Sequence, residues 1–237
     1  MTVGLRLHSF APGGTAIVFG GTGGIGRALV EQLNAQECFD RVLSFGRQSV
    51  PAIHFPDEQG IINAVTLAQT GGPIRLCMIA TGFLHTPDFG PEKALRELNA
   101  DQLAQAFAIN TIGPALILKH VIPALPREGK SVVAALSARV GSIGDNALGG
   151  WYSYRASKAA LNQIIRTASI ELNRRAKSAL CLALHPGTVA TDLSAPFNAP
   201  AARSPAQAAS ELLQVIDQKN AADSGGFFDF NGQTVPW

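Results

Sequence analysis

Charge is scarce in this 237-residue chain: 19 Lys and Arg stand against 17 Asp and Glu, the net charge is +2, and only 15% of residues are charged. So weak and scattered a balance lacks the basic stripe or face that nucleic-acid binders present, and no nucleic-acid partner is expected. Cysteine is scarcer still. Cys38, Cys77 and Cys181 are far apart and odd in number, and two of them lie in apolar, strand-like runs. They read as reduced thiols rather than a disulfide framework, which points to a cytoplasmic protein. No run approaches the roughly 20 uninterrupted apolar residues of a membrane span, and residues 1–13 lack the apolar core of a secretory leader, so no membrane association is expected. His, Cys and carboxylates are not clustered at ligand spacing, and no metal site is expected. Without repeats, low-complexity tracts or linkers, a chain of this length reads as one α/β domain.

Glycine, by contrast, is concentrated where it matters. The apolar run Ala16-Ile17-Val18-Phe19 is followed by Gly20-Gly21-Thr22-Gly23-Gly24-Ile25-Gly26, and then by a helical pattern from Ile25 to Leu33. A strand that stops on glycines and restarts as a helix brings bare backbone N–H groups and a helix N-terminus to one point, where a dinucleotide pyrophosphate can sit. The cluster satisfies both Gly-x-x-x-Gly-x-Gly, through Gly20, Gly24 and Gly26, and Gly-x-Gly-x-x-Gly, through Gly21, Gly23 and Gly26, so on its own it names no family.

Strand candidates at 15–20, 41–46, 52–55, 74–80, 131–137, 179–184 and 226–230 alternate with helical patterns. This predicts a doubly wound (Rossmann), mostly parallel seven-stranded sheet with helices on both faces, forming a single domain over 15–237. Residues 1–14, closing on Pro12-Gly13-Gly14, read as a loose N-terminal extension. The candidate at 52–55 is separated from its predecessor by only about five residues, whereas a parallel crossover takes ~10–12 or more. Either the connecting helix has shrunk to a loop or that strand does not form. Asp101 is placed to cap a helix over 102–122 ending at Pro123, and Ser204-Pro205 opens one over 205–218. The Pro- and Ala-rich run 194–205 reads as a surface loop within the domain.

In the segment Trp151-Tyr152-Ser153-Tyr154-Arg155-Ala156-Ser157-Lys158, Tyr154 and Lys158 stand four apart at the head of a helical pattern over 152–175, and so share one face. A free phenol, with a pKa near ~10, is a poor proton shuttle at neutral pH, and a neighbouring ammonium brings it closer to working range.

These residues resemble the short-chain dehydrogenase/reductase family over nearly all of 15–237. Its glycine motif matches Gly20, Gly24, Ile25 and Gly26, its Tyr-x-x-x-Lys matches Tyr154 and Lys158, and its catalytic Asn matches Asn110. Its Pro-Gly-x-Val-x-Thr run matches Pro186, Gly187, Val189 and Thr191. The stretches from Ala80 to His85, from Gly141 to Lys158 and from Ser224 to Trp237 are similar to the C-factor and sniffer-like branch. The resemblance implies that Tyr154 donates a proton to a substrate carbonyl oxygen as hydride reaches its carbon, and that Lys158 holds the nicotinamide ribose and lowers the tyrosine's pKa. Asn110, followed by Gly113-Pro114, would interrupt its helix and anchor a water. Thr22, Gly23, Ala80, Thr81 and Gly82 join the cofactor contacts. The family's serine position falls on Ala138 in Leu136-Ser137-Ala138-Arg139-Val140-Gly141, one residue after Ser137. Ser137 is taken as the catalytic candidate, with Ser142 as the other nearby hydroxyl.

The tip of the second strand reads Phe45-Gly46-Arg47. In place of the acid that accepts a ribose 2′-hydroxyl in NAD-binding relatives, Arg47 offers a permanently charged planar fork suited to a phosphate. NADP(H) is favoured, with NAD(H) as the alternative. The expected activity is interconversion of a carbonyl and an alcohol, on a small, apolar or aromatic substrate held by residues 83–98 and 190–204, in a homo-oligomer (dimer or tetramer). A nucleotide-binding regulatory protein with little turnover is the competing reading. His85 and His185 lie near predicted strand ends on the cofactor side, where they could contact substrate, but they read first as loop or core residues and are not taken as catalytic candidates.

Overall fold

The structure is a computed structural model that describes residues 5–197 and 202–237. Six parallel strands form one sheet: β1 (Thr15–Phe19), β2 (Arg41–Phe45), β3 (Ile74–Ile79), β4 (Ser131–Leu136), β5 (Ala179–His185) and β6 (Phe227–Asp229), in the order β2-β1-β3-β4-β5-β6. Strands covered on both faces read as continuous apolar runs rather than as alternations, and every residue of β1 and β4 is buried. The two-residue pleat divides them between two cores. Ile17, Phe19, Cys77, Ile79 and Val133 face one side, with α2 (Gln59–Gln69), α4 (Gly113–Ala124) and α5 (Tyr152–Arg175). Ala16, Val18, Leu76, Met78 and Val132 face the other, with α1 (Gly24–Asn34) and α6 (Pro205–Gln218).

The expected doubly wound architecture is present, with one strand fewer. Residues 52–55 form no strand, and β2 is the sheet's edge among the described residues. Pro51 and Pro56 bracket that segment and carry no N–H to donate to a ladder. Ile53 is buried, its N–H donates back to Gly46 O at 2.9 Å, and the crossover to β3 is made by α2 instead.

Two helix boundaries also differ from expectation. Asn99, not Asp101, caps α3 (Ala100–Phe107), accepting from the N–H groups of Asp101 and Gln102 at 2.9 and 3.1 Å. Pro123 lies inside the last turn of α4 rather than ending it. Between α3 and α4 a π turn spans Ala108–Ile112. The continuous helix from Ala100 to Ala124 is long and apolar enough to cross a membrane by composition alone, but half of its apolar window is buried in the domain, as a core helix requires. α5 and α6 match the predicted spans, and Ser204 caps α6 through Gln207 N at 3.1 Å.

Residues 5–14 carry no regular secondary structure yet are held down. Leu7 and Phe10 are buried in the α1/α6 core, and Asp217 accepts from Ser9 Oγ at 2.6 Å. Lys130 Nζ joins Ser9 Oγ to the carbonyls of Ile216 and Lys219, each at 2.7 Å. Residues 5–14 of the extension that composition reads as loose are thus tied by side-chain contacts to distant parts of the chain; residues 1–4 lie outside the described residues.

The chain leaves β1 toward β2 on one side and returns to β3 on the other. The carboxyl ends of β1 and β3 therefore form the switch point where an open α/β sheet leaves a crevice.

Candidate active site

The glycine turn sits at that switch point. Gly20 has φ +83°, and a Cβ built there would lie 2.8 Å from the backbone of Ala80 at the end of β3. A Cβ on Gly26 would lie 2.1 Å from Gly20 O, and one on Gly24 would lie 2.6 Å from Thr191 Cγ2. Only bare backbone fits where β1, α1, β3 and the Pro186–Thr191 loop converge. Gly23 is the residue before α1 and offers no side-chain cap, so among the described residues the first-turn N–H groups of the helix have no side-chain acceptor. Thr81 Oγ1 is buried nearby with no hydrogen-bond partner among the described residues. A narrow glycine cradle, an uncapped helix N-terminus and an unsatisfied hydroxyl fit the pyrophosphate and ribose of a dinucleotide.

Thr22 is exposed beside Gly46, its Oγ1 lying 3.4 Å from where a Cβ on that glycine would be. Arg47 follows, also exposed at the tip of β2. Gly82 lies across from Leu193, 3.9 Å from a Cβ built on the glycine.

Tyr154 lies in the first turn of α5 and Lys158 one turn on. Burial pushes the Tyr154 hydroxyl up to about 12, and no hydrogen bond among the described residues offsets it. Burial likewise drives Lys158 down to about 7. Lys158 is 2% exposed, its Nζ donates to Leu136 O at 2.7 Å and lies 5.9 Å from the centre of the Tyr154 ring.

Asn110 stands in the middle of the π turn, fully buried, where the expected interruption of the helix falls. Its amide is committed to protein. Oδ1 accepts from Phe83 N at 2.8 Å, while Nδ2 donates to Phe83 O at 2.8 Å and to Ser157 Oγ at 3.0 Å. The residue thus ties the segment leaving β3 to the helix that carries Tyr154.

Ser137 follows the last residue of β4 and lines the same cleft as Tyr154, but its hydroxyl is turned to α5 and donates to Asn162 Oδ1 at 2.6 Å. Ser142 is buried and accepts from Asp145 N at 3.0 Å. Ala138, at the position the family fills with serine, also lines the cleft.

That cleft has a volume of about 370 Å³ and runs from Ile25 at the head of α1, past Pro186 to Thr191, to Tyr154 and Trp151. Leu84, Leu193 and Phe197, which belong to the loops at 83–98 and 190–204, give it an apolar wall; residues 198–201 of the second loop lie outside the described residues. Trp151 packs between Tyr154 and Phe197, with ring centres 6.2 and 5.1 Å away. His85 is set back, its Nε2 3.3 Å from Asp192 O, whereas His185 lines the cleft.

One group at the head of α5 carried no sequence signal. Glu92 is 3% exposed, its carbonyl accepts from Trp151 N, and its carboxyl group accepts from Ser153 N at 3.2 Å and from Ser153 Oγ. It caps the tyrosine-bearing helix from 61 residues away. Trp151 itself has φ +54°, an unfavourable conformation for a bulky residue, which the Glu92 contact and the aromatic packing hold in place.

The family model described as enoyl-(acyl carrier protein) reductase matches residues 60–228. The chain is 39% identical over 145 residues to "C-signal" of Myxococcus xanthus, a match covering 61% of this chain and 84% of that protein. It is 40% identical over 143 residues to 1-hydroxy-2-glutathionyl-2-methyl-3-butene dehydrogenase of Rhodococcus sp. (strain AD45), covering 59% of this chain and 61% of that enzyme. Among solved structures, NADPH-bound carbonyl reductase from chicken fatty liver superposes with a TM-score of 0.83 at 22% identity, covering 96% of this chain and all of that one. Carbonyl reductase Sniffer of D. melanogaster gives 0.80 at 21% identity, covering 94% of this chain and 99% of its own. The likeness to these two structures is one of fold. The span of the family match, together with the identity to C-signal over most of its length, shows that the chain belongs to the short-chain dehydrogenase/reductase family of oxidoreductases.

Proposed function

We propose that this protein is an NADP(H)-dependent oxidoreductase that interconverts a carbonyl and an alcohol, with Tyr154 as proton donor and acceptor. The observation that carries the reading is the shared cleft: the head of α1, the Pro186–Thr191 loop and a phenol with no hydrogen-bond partner among the described residues line one cavity. Gly20, Gly23, Gly24, Ile25 and Gly26 would cradle the pyrophosphate, and Arg47 and Thr22 would meet the 2′-phosphate. Ala80, Thr81 and Gly82 would lie along the ribose, and Pro186, Gly187, Val189 and Thr191 along the nicotinamide end. When bound, the cofactor supplies the hydride.

The remaining steps belong to the chain's own groups. A phenol whose pKa stands well above neutrality is fully protonated at neutral pH, so Tyr154 enters reduction as the acid and gives its proton to the carbonyl oxygen. In the oxidative direction the same oxygen takes the proton back. Lys158, poised near 7, holds or releases a proton at Nζ close to neutrality and would bind the ribose hydroxyls. Asn110 keeps the β3 exit and α5 in register through Phe83 and Ser157. Leu84, Leu193, Trp151 and Phe197 exclude water and suit an apolar or aromatic substrate. The NADPH and NADP bound by solved structures of this fold support the cofactor choice.

The test is to follow NADPH absorbance with the purified protein over a panel of aldehydes, ketones and quinones. Turnover on at least one class, faster with NADPH than with NADH, is expected; no turnover on any class contradicts the reading. A second reading, a nucleotide-responsive regulatory protein, is favoured by the likeness to C-signal and by the missing hydroxyl at Ala138. It predicts NADP(H) binding without carbonyl reduction, and a partner whose affinity depends on the nucleotide.

A further inference from the structure

A carbonyl oxygen that receives a proton from Tyr154 gains from a second, fixed donor as charge builds on it. The hydroxyls near β4 do not provide one. Ser137 spends its proton on Asn162, Ala138 has none to give, and Ser142 lies beyond the cleft lining. Of the two arginines on the cleft, Arg155 is spent on the carbonyls of Val140, Gly149 and Gly150, and Arg139 is half exposed at the rim and paired with Asp145 at 2.6 Å.

His185 is placed differently. It is the last residue of β5, whose register pairs Leu136 with Leu184, so its side chain emerges beside Ser137 and Ala138, and it lines the cleft together with Tyr154. Its Nδ1 is sealed from solvent and has no hydrogen-bond partner among the described residues. Burial, with Arg139 and Arg203 close by, pushes the ring down to about 4 and outweighs the opposing effect of Asp229, so the imidazole is neutral at neutral pH. A neutral imidazole carries its single proton on one nitrogen. A sealed N–H without an acceptor is costlier than a sealed lone pair, so the proton goes to Nε2, which is not among the sealed, unpartnered side-chain atoms of the described residues.

We propose that His185 Nε2–H is the second hydrogen-bond donor to the substrate carbonyl oxygen, taking the part played elsewhere in the family by the serine that Ala138 replaces. The inference rests on the carbonyl chemistry proposed above. No proton leaves His185: the ring donates a hydrogen bond, Tyr154 supplies the proton, and the imidazole stays neutral throughout.

Three measurements test it. In wild-type protein loaded with NADP⁺, nitrogen NMR should find His185 neutral with its proton on Nε2, and that signal should shift when a ketone from the panel is added. His185→Phe, which keeps an aromatic ring against Phe230, should lower kcat by ~10²–10³-fold, the range for loss of one oxyanion donor, while NADPH affinity is retained. His185→Gln, which restores an N–H, and Ala138→Ser added to His185→Phe, which restores a hydroxyl, should each recover part of the loss. A proton on Nδ1, or a His185→Phe variant as active as wild type, overturns the inference. A loss of NADPH affinity matching the loss of turnover also overturns it, because the residue would then be structural. Wild-type protein inactive on the whole panel overturns the parent reading instead, and is distinguished by the first assay.

Discussion

Arg47, the cation proposed for the 2′ end of the cofactor, stands exposed where β2 ends, next to the glycine that Thr22 approaches. A guanidinium there has no buried partner to lose, so its contribution is read cleanly in binding. Arg47→Ala is expected to weaken NADPH by about 1.5–3 kcal/mol, the scale of a hydrogen bond to a charged group, and to leave NADH nearly unchanged; fluorescence titration of both checks it. Equal losses for the two cofactors would show that Arg47 does not read the phosphate. At this scale the sequence was legible wherever spacing encodes geometry. A spacing of four from Tyr154 to Lys158 means one helical face, and glycines directly after a strand mean close backbone approach. It was illegible where the decisive partner is remote. Ser137 could not be separated from Ala138 without knowing that Asn162, 25 residues on, takes its hydroxyl. Glu92 and His185 gained their meaning only from neighbours that folding brings to them.

Elements followed the sequence where local chemistry decides and departed from it where packing does. α6 begins at Pro205 because Ser204 and a first-turn proline both favour it. Residues 52–55 look like a strand by composition, but bracketing prolines and the back-donation from Ile53 to Gly46 make them a loop. The head of α5 departs furthest from local rules: a left-handed tryptophan precedes it, no local side chain caps it, and a carboxyl group from another loop does so instead. Glu92→Ala leaves Ser153 N without its buried acceptor. It should destabilise the protein by about 1–3 kcal/mol in denaturant unfolding, the cost of a buried unsatisfied donor. An unchanged midpoint would mean that the cap contributes nothing.

For the molecule as a whole, the order of strands explains why chemistry collects at one edge. The switch between β1 and β3 opens the crevice, glycines allow it to be narrow, and α5 runs past the ends of β4 and β5 so that Tyr154 faces the same space. The parallel α/β architecture was readable from alternating elements; the position of the cleft's apolar wall was not, because it is built from loops whose shape depends on what they pack against. The measurement that bears most directly on this arrangement is steady-state turnover of Tyr154→Phe beside its NADPH affinity, on a carbonyl that the wild-type protein reduces. The expected result is a fall of ~10²–10⁴ in kcat, the span of a positioned acid, with NADPH binding retained. A variant that turns over as fast as wild type would contradict it.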